Sequence, residues 1–286
     1  SGSLIMQDFV ADMTSVGNER ILRAGGIVHA RTATPEFSSA AYTNSRLWGV
    51  TRNPWNPEFT PGGSSGGSAA SLAAGTSAIA TGSDIGGSIR IPAGTCGLVG
   101  YKPPYGRNSD DPPFNLDFYC HTGPLARNVS DAILLQNVMC GPHPKDMASL
   151  RPKLRLPAHY PPIKDWKIAF SMDLGFFEVD PDVQQNTLKA LDVFRDLGAT
   201  VEEVEIGWDH RVLDAGMAYL SHIFGAYMAT YLADHADKMT NYVRQWAEEA
   251  QKSTSADFLQ TLEVANEMYA TVGPLLEKYQ VLLCPT

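Results

Sequence analysis

The chain of 286 residues is 44% hydrophobic and 19% charged, enough to bury a sizeable core and far from a disordered composition. Its 22 Lys and Arg against 31 Asp and Glu leave a formal charge of −9, which argues against nucleic acid as a partner, because phosphate binding needs clustered basic residues. No apolar run approaches the roughly 20 residues that span a bilayer, and the first residues carry neither a basic n-region nor an apolar h-region, so no membrane span or secretion signal is expected. Cys96, Cys120, Cys140 and Cys284 form no C-x-x-C pair, and the seven histidines show no metal-ligand spacing. Reduced thiols in a cytoplasmic setting, and no structural metal, are the expectation.

In chain order, Ser15 to Ala24 reads as a helix ended by Gly25-Gly26, and Ile27 to Ala30 as a strand. An Ala-rich helical stretch follows at Ser68 to Gly75, then a short strand at Ser77 to Thr81. Asn108 to Asn115 and the proline-rich Gly141 to Pro162 are the least regular stretches, the second being a surface excursion or a domain seam. Trp166 to Ser171 and Thr200 to Ile206 are β-rich runs on either side of a helix at Asp182 to Leu197, opened by Asp180-Pro181 and stopped by Gly198. Strand, helix, strand favours a right-handed βαβ crossover, and hence an α/β fold with a largely parallel sheet. Asp209 to Tyr279 is mostly helical, and Gln280 to Cys284 starts another strand.

Residues 61–106 differ from the rest. Gly62-Gly63-Ser64 and Gly86-Gly87-Ser88 place two serines 24 positions apart, each behind a glycine pair. Glycines let a backbone approach a ligand closely, and the serines put hydroxyls at the turn tips. Ile-Arg-Ile-Pro follows Ser88 and sets it at a helix start, where unpaired N–H groups and the helix dipole favour a developing negative charge. A flexible Gly/Ser linker would not carry Ala, Ile and Leu at core density. A phosphate loop fails too, since neither G-x-x-x-x-G-K-[ST] nor a strand-to-helix G-x-G-x-x-G is present. A buried tight turn without chemistry remains the bland alternative.

Gly62-Gly63-Ser64-Ser65-Gly66-Gly67-Ser68, followed by Gly82-Ser83-Asp84-Ile85-Gly86-Gly87-Ser88-Ile89-Arg90-Ile91-Pro92, resembles the signature of the amidase signature family of serine hydrolases. Thr51-Arg52-Asn53-Pro54-Trp55 before it, and Cys96 to Pro103 and Gly123 to Arg127 after it, agree. The likeness covers about the first 140 residues and thins beyond them to the level of fold. It implies an α/β/α fold, a central mixed, largely parallel sheet covered by helices on both faces, as a single domain over residues 1–286.

The family works with a Ser–cis-Ser–Lys triad. The resemblance implies Ser88 as nucleophile and Ser64 as bridging serine, held by a cis Gly–Ser peptide. It also implies an oxyanion hole from the N–H groups of Ile85, Gly86, Gly87 and Ser88. Asp84 and Arg90 would brace the loop, and Ser65 would be a hydrogen-bonded neighbour. The family's base is a buried lysine upstream of the bridging serine, but the first lysine here is Lys102. Lys164-Asp165 has the right letters in a context that resembles the lead-in to a later strand, and Lys102 matches another, structural family position. Ser1-Gly2-Ser3-Leu4 resembles the family segment just after the lysine, and Leu282 to Thr286 one after which members continue. An incomplete domain at both ends is therefore expected.

The implied activity is hydrolysis of a small-molecule amide, or a related ester or carbamate, through an acyl-enzyme on Ser88. No cofactor or metal is implied, and a homodimer is left open. Two rivals stand beside it: a catalytically silent fragment that acts by binding, and a glutamine amidotransferase A-type subunit. Family departures at Ala30 to Phe37 and at Pro104 bear on the pocket edge. Tyr119 to Thr122 and Ala215 to Tyr231 are candidate pocket walls, although Met217, Tyr219, Phe224, Tyr227 and Met228 at helical spacing equally suit plain core.

Overall fold

The computed structural model describes all 286 residues, which divide into two compact units. Ser1–Ala158 with Met228–Trp246 form the first, and His159–Tyr227 with Ala247–Thr286 the second. The seam at residues 158 and 159 falls inside the proline-rich stretch.

The first unit opens with α1 (Val16–Arg23), which Ser15 precedes and whose charges follow the helix dipole, with Glu19 in the first turn and Arg20 and Arg23 in the last. A small hairpin, β1 (Asn44–Ser45) and β2 (Gly49–Val50), leads to α2 (Gly66–Ala73), β3 (Ile79–Asp84) and α3 (Arg90–Cys96). β4 (Val99–Gly100), β5 (His121–Ala126) and α4 (Val129–Met139) follow, with the Asn128 side chain accepting the Asp131 N–H as a cap. β5 is the centre of an antiparallel sheet of order β3-β5-β4. Leu72 of α2, Ile89 and Ala93 at α3 and Leu125 of β5 form the core between helices and sheet.

In the second unit β6 (Lys167–Phe170), α5 (Pro181–Asp196) and β7 (Thr200–Glu203) make the expected crossover, and β6 pairs β7 in parallel. Asp180 accepts the Asp182 N–H and Pro181 opens α5, as the sequence predicts. After α6 (Arg211–Leu220) the chain passes a π-helical turn at Ser221–Gly225 into α7 (Ala226–Ala229), and then returns to the first unit, which holds α8 (Leu232–His235) and the greater part of α9 (Asn241–Ala250). α10 (Ser255–Lys278) begins with a capping box between Thr254 and Asp257 and leads into β8 (Val281–Leu283), parallel to β6 on its other side. No helix is long and apolar enough to cross a membrane.

The class is α/β, with two departures in detail. Parallel pairing is confined to β7-β6-β8, while the sheet that carries the glycine–serine segment is antiparallel. The expected strand at Ile27 to Ala30 does not form: Ile27 is 87% exposed and Val28 50%, so this apolar run has no neighbour to pair with.

Candidate active site

β3 and β5 run side by side with Gly82 opposite Gly123, so part of the sheet face has no side chains. A Cβ on Gly82 would lie 2.6 Å from Ser65 Oγ, and one on Gly123 would collide with the Tyr101 carbonyl. This bare floor lets the turn before α2 settle on the sheet. There the Ser65 hydroxyl accepts the Ser83 N–H at 3.3 Å and donates to Ser83 O at 3.5 Å. The Ser65 N–H donates to Ser88 O at 3.2 Å. That one backbone bond brings the two Gly-Gly-Ser turns together. Ser64 is 2% exposed, Ser88 is half-buried, and the Gly63–Ser64 peptide is cis. Neither the Ser64 nor the Ser88 hydroxyl takes part in these bonds.

Asp84, the last residue of β3, organises the second turn. Its fully buried carboxylate accepts the N–H of Gly87 at 2.8 Å, of Ile89 at 3.1 Å and of Arg90 at 3.2 Å. Arg90 adds a forked contact, Nε to Oδ2 at 3.0 Å and a terminal nitrogen to Oδ1 at 2.8 Å. Burial pushes this carboxyl upward, but the Arg90 guanidinium and the backbone donors outweigh it and hold it below the usual carboxylate range. Gly87 sits at φ +117°, and a Cβ there would also strike Ile91, so only glycine suits this bend.

The Gly87 N–H is turned inward to Asp84, which leaves Ile85, Gly86 and Ser88 of the four expected oxyanion-hole donors. Asp84 and Arg90 brace the loop from behind.

The lysines separate by environment. Lys164 is exposed in the lead-in to β6, where the neighbouring Asp165 N–H bonds Gly198 O. Lys102 follows β4 and is half-buried; burial pushes its ammonium down, with Asp84 pulling it back and Arg90 reinforcing the fall. At Tyr119 to Thr122, the Tyr119 and Cys120 N–H groups bind Asp117 Oδ1 at 2.8 and 2.7 Å, and the Thr122 N–H binds Asp110 Oδ2. Burial pushes the Cys120 thiol up to about 12, so it stays neutral and poorly nucleophilic. His121 is buried with Nε2 2.9 Å from Phe118 O, and burial lowers its pKa. Its ring is committed to the backbone. No group of three or more His, Cys, Asp or Glu side chains is placed to hold a metal ion.

Among the candidate wall residues after 215, Tyr219 and Met228 are buried core and Met217 is 53% exposed. Phe224 and Tyr227 are half-buried. Sequence reasoning missed the residues behind the Ser64 turn. Thr43 Oγ1 donates to Gly62 O at 2.9 Å, and Glu36, 1% exposed, accepts from Ser3 Oγ at 2.6 Å and from the Thr240 N–H at 2.7 Å. Local spacing carries no signal for such long-range partners.

This α/β frame, with paired glycine–serine turns over a bare sheet, is the amidase signature fold. A solved bacterial aryl acylamidase of that family superposes with a TM-score of 0.91 over 100% of this chain and 62% of its own, at 28% identity. The A subunit of the glutamyl-tRNA(Gln) amidotransferase from Thermotoga maritima superposes at 0.75 over 97% of this chain and 62% of its own, at 25% identity. The Amidase family model matches residues 1–286, and the chain belongs to the amidase signature family. In sequence it is 40% identical over 209 residues to the glutamyl-tRNA(Gln) amidotransferase A subunit of Cyanothece sp., a match covering 71% of this chain and 43% of that one. The protein of the same name from Methanosarcina barkeri is 38% identical over 210 residues, covering 72% and 44%. The chain thus matches less than half the length of these curated relatives.

Proposed function

We propose that this chain carries the acyl-transfer centre of an amidase that cleaves a small-molecule amide, or a related ester or carbamate, with Ser88 as nucleophile and Ser64 as proton relay. The observation that carries the reading is the Ser65 N–H···O Ser88 bond, which sets the two serine turns side by side while leaving both hydroxyls outside the fold's own bonding. Ser88 Oγ attacks the carbonyl carbon and its proton leaves through the Ser64 hydroxyl. The carbonyl oxygen takes up negative charge facing the N–H groups of Ile85, Gly86 and Ser88; each such donor is worth roughly 3 kcal/mol in a transition state. The C–N bond then breaks, the amine departs with a proton, and water hydrolyses the acyl-enzyme. The resemblance assigns the base to a lysine ahead of Ser64, and none lies between Ser1 and Ser64.

An A-type amidotransferase subunit is the second reading, favoured by the names of the 40% and 38% identical relatives. The aryl acylamidase likeness, 0.91 against 0.75 in TM-score, supports the small-molecule amide instead, and the charge of −9 supports a surface that does not itself hold nucleic acid. None of the four cysteines is paired in a disulfide, which suits a cytoplasmic enzyme. The deciding experiment assays the full-length protein on a chromogenic anilide and on glutamine, with Ser88→Ala as control. Anilide turnover lost in Ser88→Ala is expected. Glutamine turnover alone would favour the amidotransferase, and no Ser88-dependent turnover of either would leave a silent binding protein.

A further inference from the structure

Residues 36–44 run directly behind the Gly62-Gly63-Ser64 turn. A Cβ on Gly63 would lie 2.7 Å from Tyr42 N and 2.8 Å from Ala40 O, and Thr43 Oγ1 bonds Gly62 O. This loop begins in a kink, with Phe37 at φ 50° and Ser38 at φ 58°. Two successive non-glycine residues in the left-handed region are costly, and such backbone persists only where its surroundings over-determine it.

Much of that hold arrives from far along the chain. Tyr242, 206 positions after Glu36, accepts the Glu36 N–H on its hydroxyl at 2.7 Å, and the same hydroxyl donates to Asn44 O at 3.1 Å. Its ring meets Tyr42 edge-on, with centroids 5.8 Å apart. Independently, the Thr240 N–H bonds Glu36 Oε2 at 2.7 Å and Trp246 Nε1 bonds Ser39 O at 3.1 Å. Burial pushes the Tyr242 hydroxyl up to about 12, so it keeps the proton it donates to Asn44 throughout the neutral range.

We propose that Tyr242 is a positioning residue for Ser64: one hydroxyl ties together both ends of the loop against which the Gly62–Ser64 turn is packed. The inference rests on Ser64 being the bridging serine. Without that hydroxyl the two loop ends lose their common partner, and the wall behind Gly63 is free to shift. A displacement near 1 Å in a relay group costs on the order of 10²-fold in rate. The Glu36–Thr240 and Ser39–Trp246 bonds survive in Tyr242→Phe, so this variant keeps its fold.

The test is a double-mutant cycle in the full-length protein, with Tyr242→Phe, Ser64→Ala and the pair. Three readouts apply: turnover of a chromogenic anilide, the rate of fluorophosphonate capture at Ser88, and the thermal midpoint. Tyr242→Phe alone should lower kcat and the capture rate by about 10- to 100-fold and leave KM within about twofold. On the Ser64→Ala background it should cost nothing more, because its effect passes through Ser64. An equal loss on both backgrounds would overturn the proposal, since Tyr242 would then act on the fold at large. So would unchanged rates in Tyr242→Phe while Ser64→Ala is impaired. Unimpaired Ser64→Ala would instead remove the bridging role itself.

Discussion

The two units bury different things. β6 of the second unit places Ile168, Ala169 and Phe170 successively in its interior, and of the buried polar side chains only Ser171 and Thr261 belong to that unit. The first unit buries Glu36, Thr43, Ser64, Ser65, Ser68 and Asp84, along with others, around an antiparallel sheet that is bare of side chains at Gly82 and Gly123. An apolar strand covered by a crossover helix needs only volume to be stable. A buried polar network needs every partner in place, and is retained where its geometry serves chemistry. Substitutions in the two units should therefore fail in different ways.

Asp84→Asn should have the largest effect. It removes an anionic acceptor from three backbone donors and a guanidinium, and we expect a loss of about 3 kcal/mol, less than for a fully buried pair because half of the Arg90 side chain lies in solvent. Activity should fall with it. Because the carboxyl is depressed, its stabilisation is complete above the unfolded aspartate value of about 4 and is lost as pH falls below it. In urea unfolding, the gap between wild type and Asp84→Asn should be constant from pH 8 to pH 5 and close only in stronger acid. A gap that closed near neutrality would contradict the buried ion pair.

Leu191→Ala, in α5 of the second unit, should cost about 2 to 3 kcal/mol by leaving a cavity. It should leave kcat per folded molecule unchanged, which denaturant melts beside active-site titration would check. A kcat loss as large as that of a first-unit polar variant would break the contrast between the units. Ser64→Ala should do the reverse: stability within about 1 kcal/mol of wild type, kcat down by roughly 10²-fold, and KM little changed, because the role proposed for this hydroxyl is to relay a proton and not to bind substrate.

What was legible from the sequence follows the same division. The crossover was readable because period, cap and stop are all local signals, set by Asp180, Pro181 and Gly198 around one helix. The paired turns were readable because glycine and serine recur in a long local pattern. Ile27 to Ala30 misled because an apolar run is a strand only when a partner strand is within reach, and here none is. The inward turn of the Gly87 N–H was invisible, since a motif names donors without saying which the adjacent aspartate takes. The hold on the Ser64 turn by Glu36, Thr240 and Tyr242 was invisible for a different reason: it joins segments 204 and 206 positions apart. No periodicity reaches that far.

The most direct measurement maps the covalent intermediate. The full-length protein is treated with a serine-reactive fluorophosphonate, digested, and the adduct located by mass spectrometry. Of the serines in the glycine–serine segment, Ser65, Ser68, Ser71 and Ser77 spend their hydroxyls on the fold's own bonds. A single adduct on Ser88, absent from Ser88→Ala, is the expected result. Stoichiometric labelling of any other serine, with Ser88 unmodified, would contradict the assignment of the nucleophile and with it the proposed chemistry.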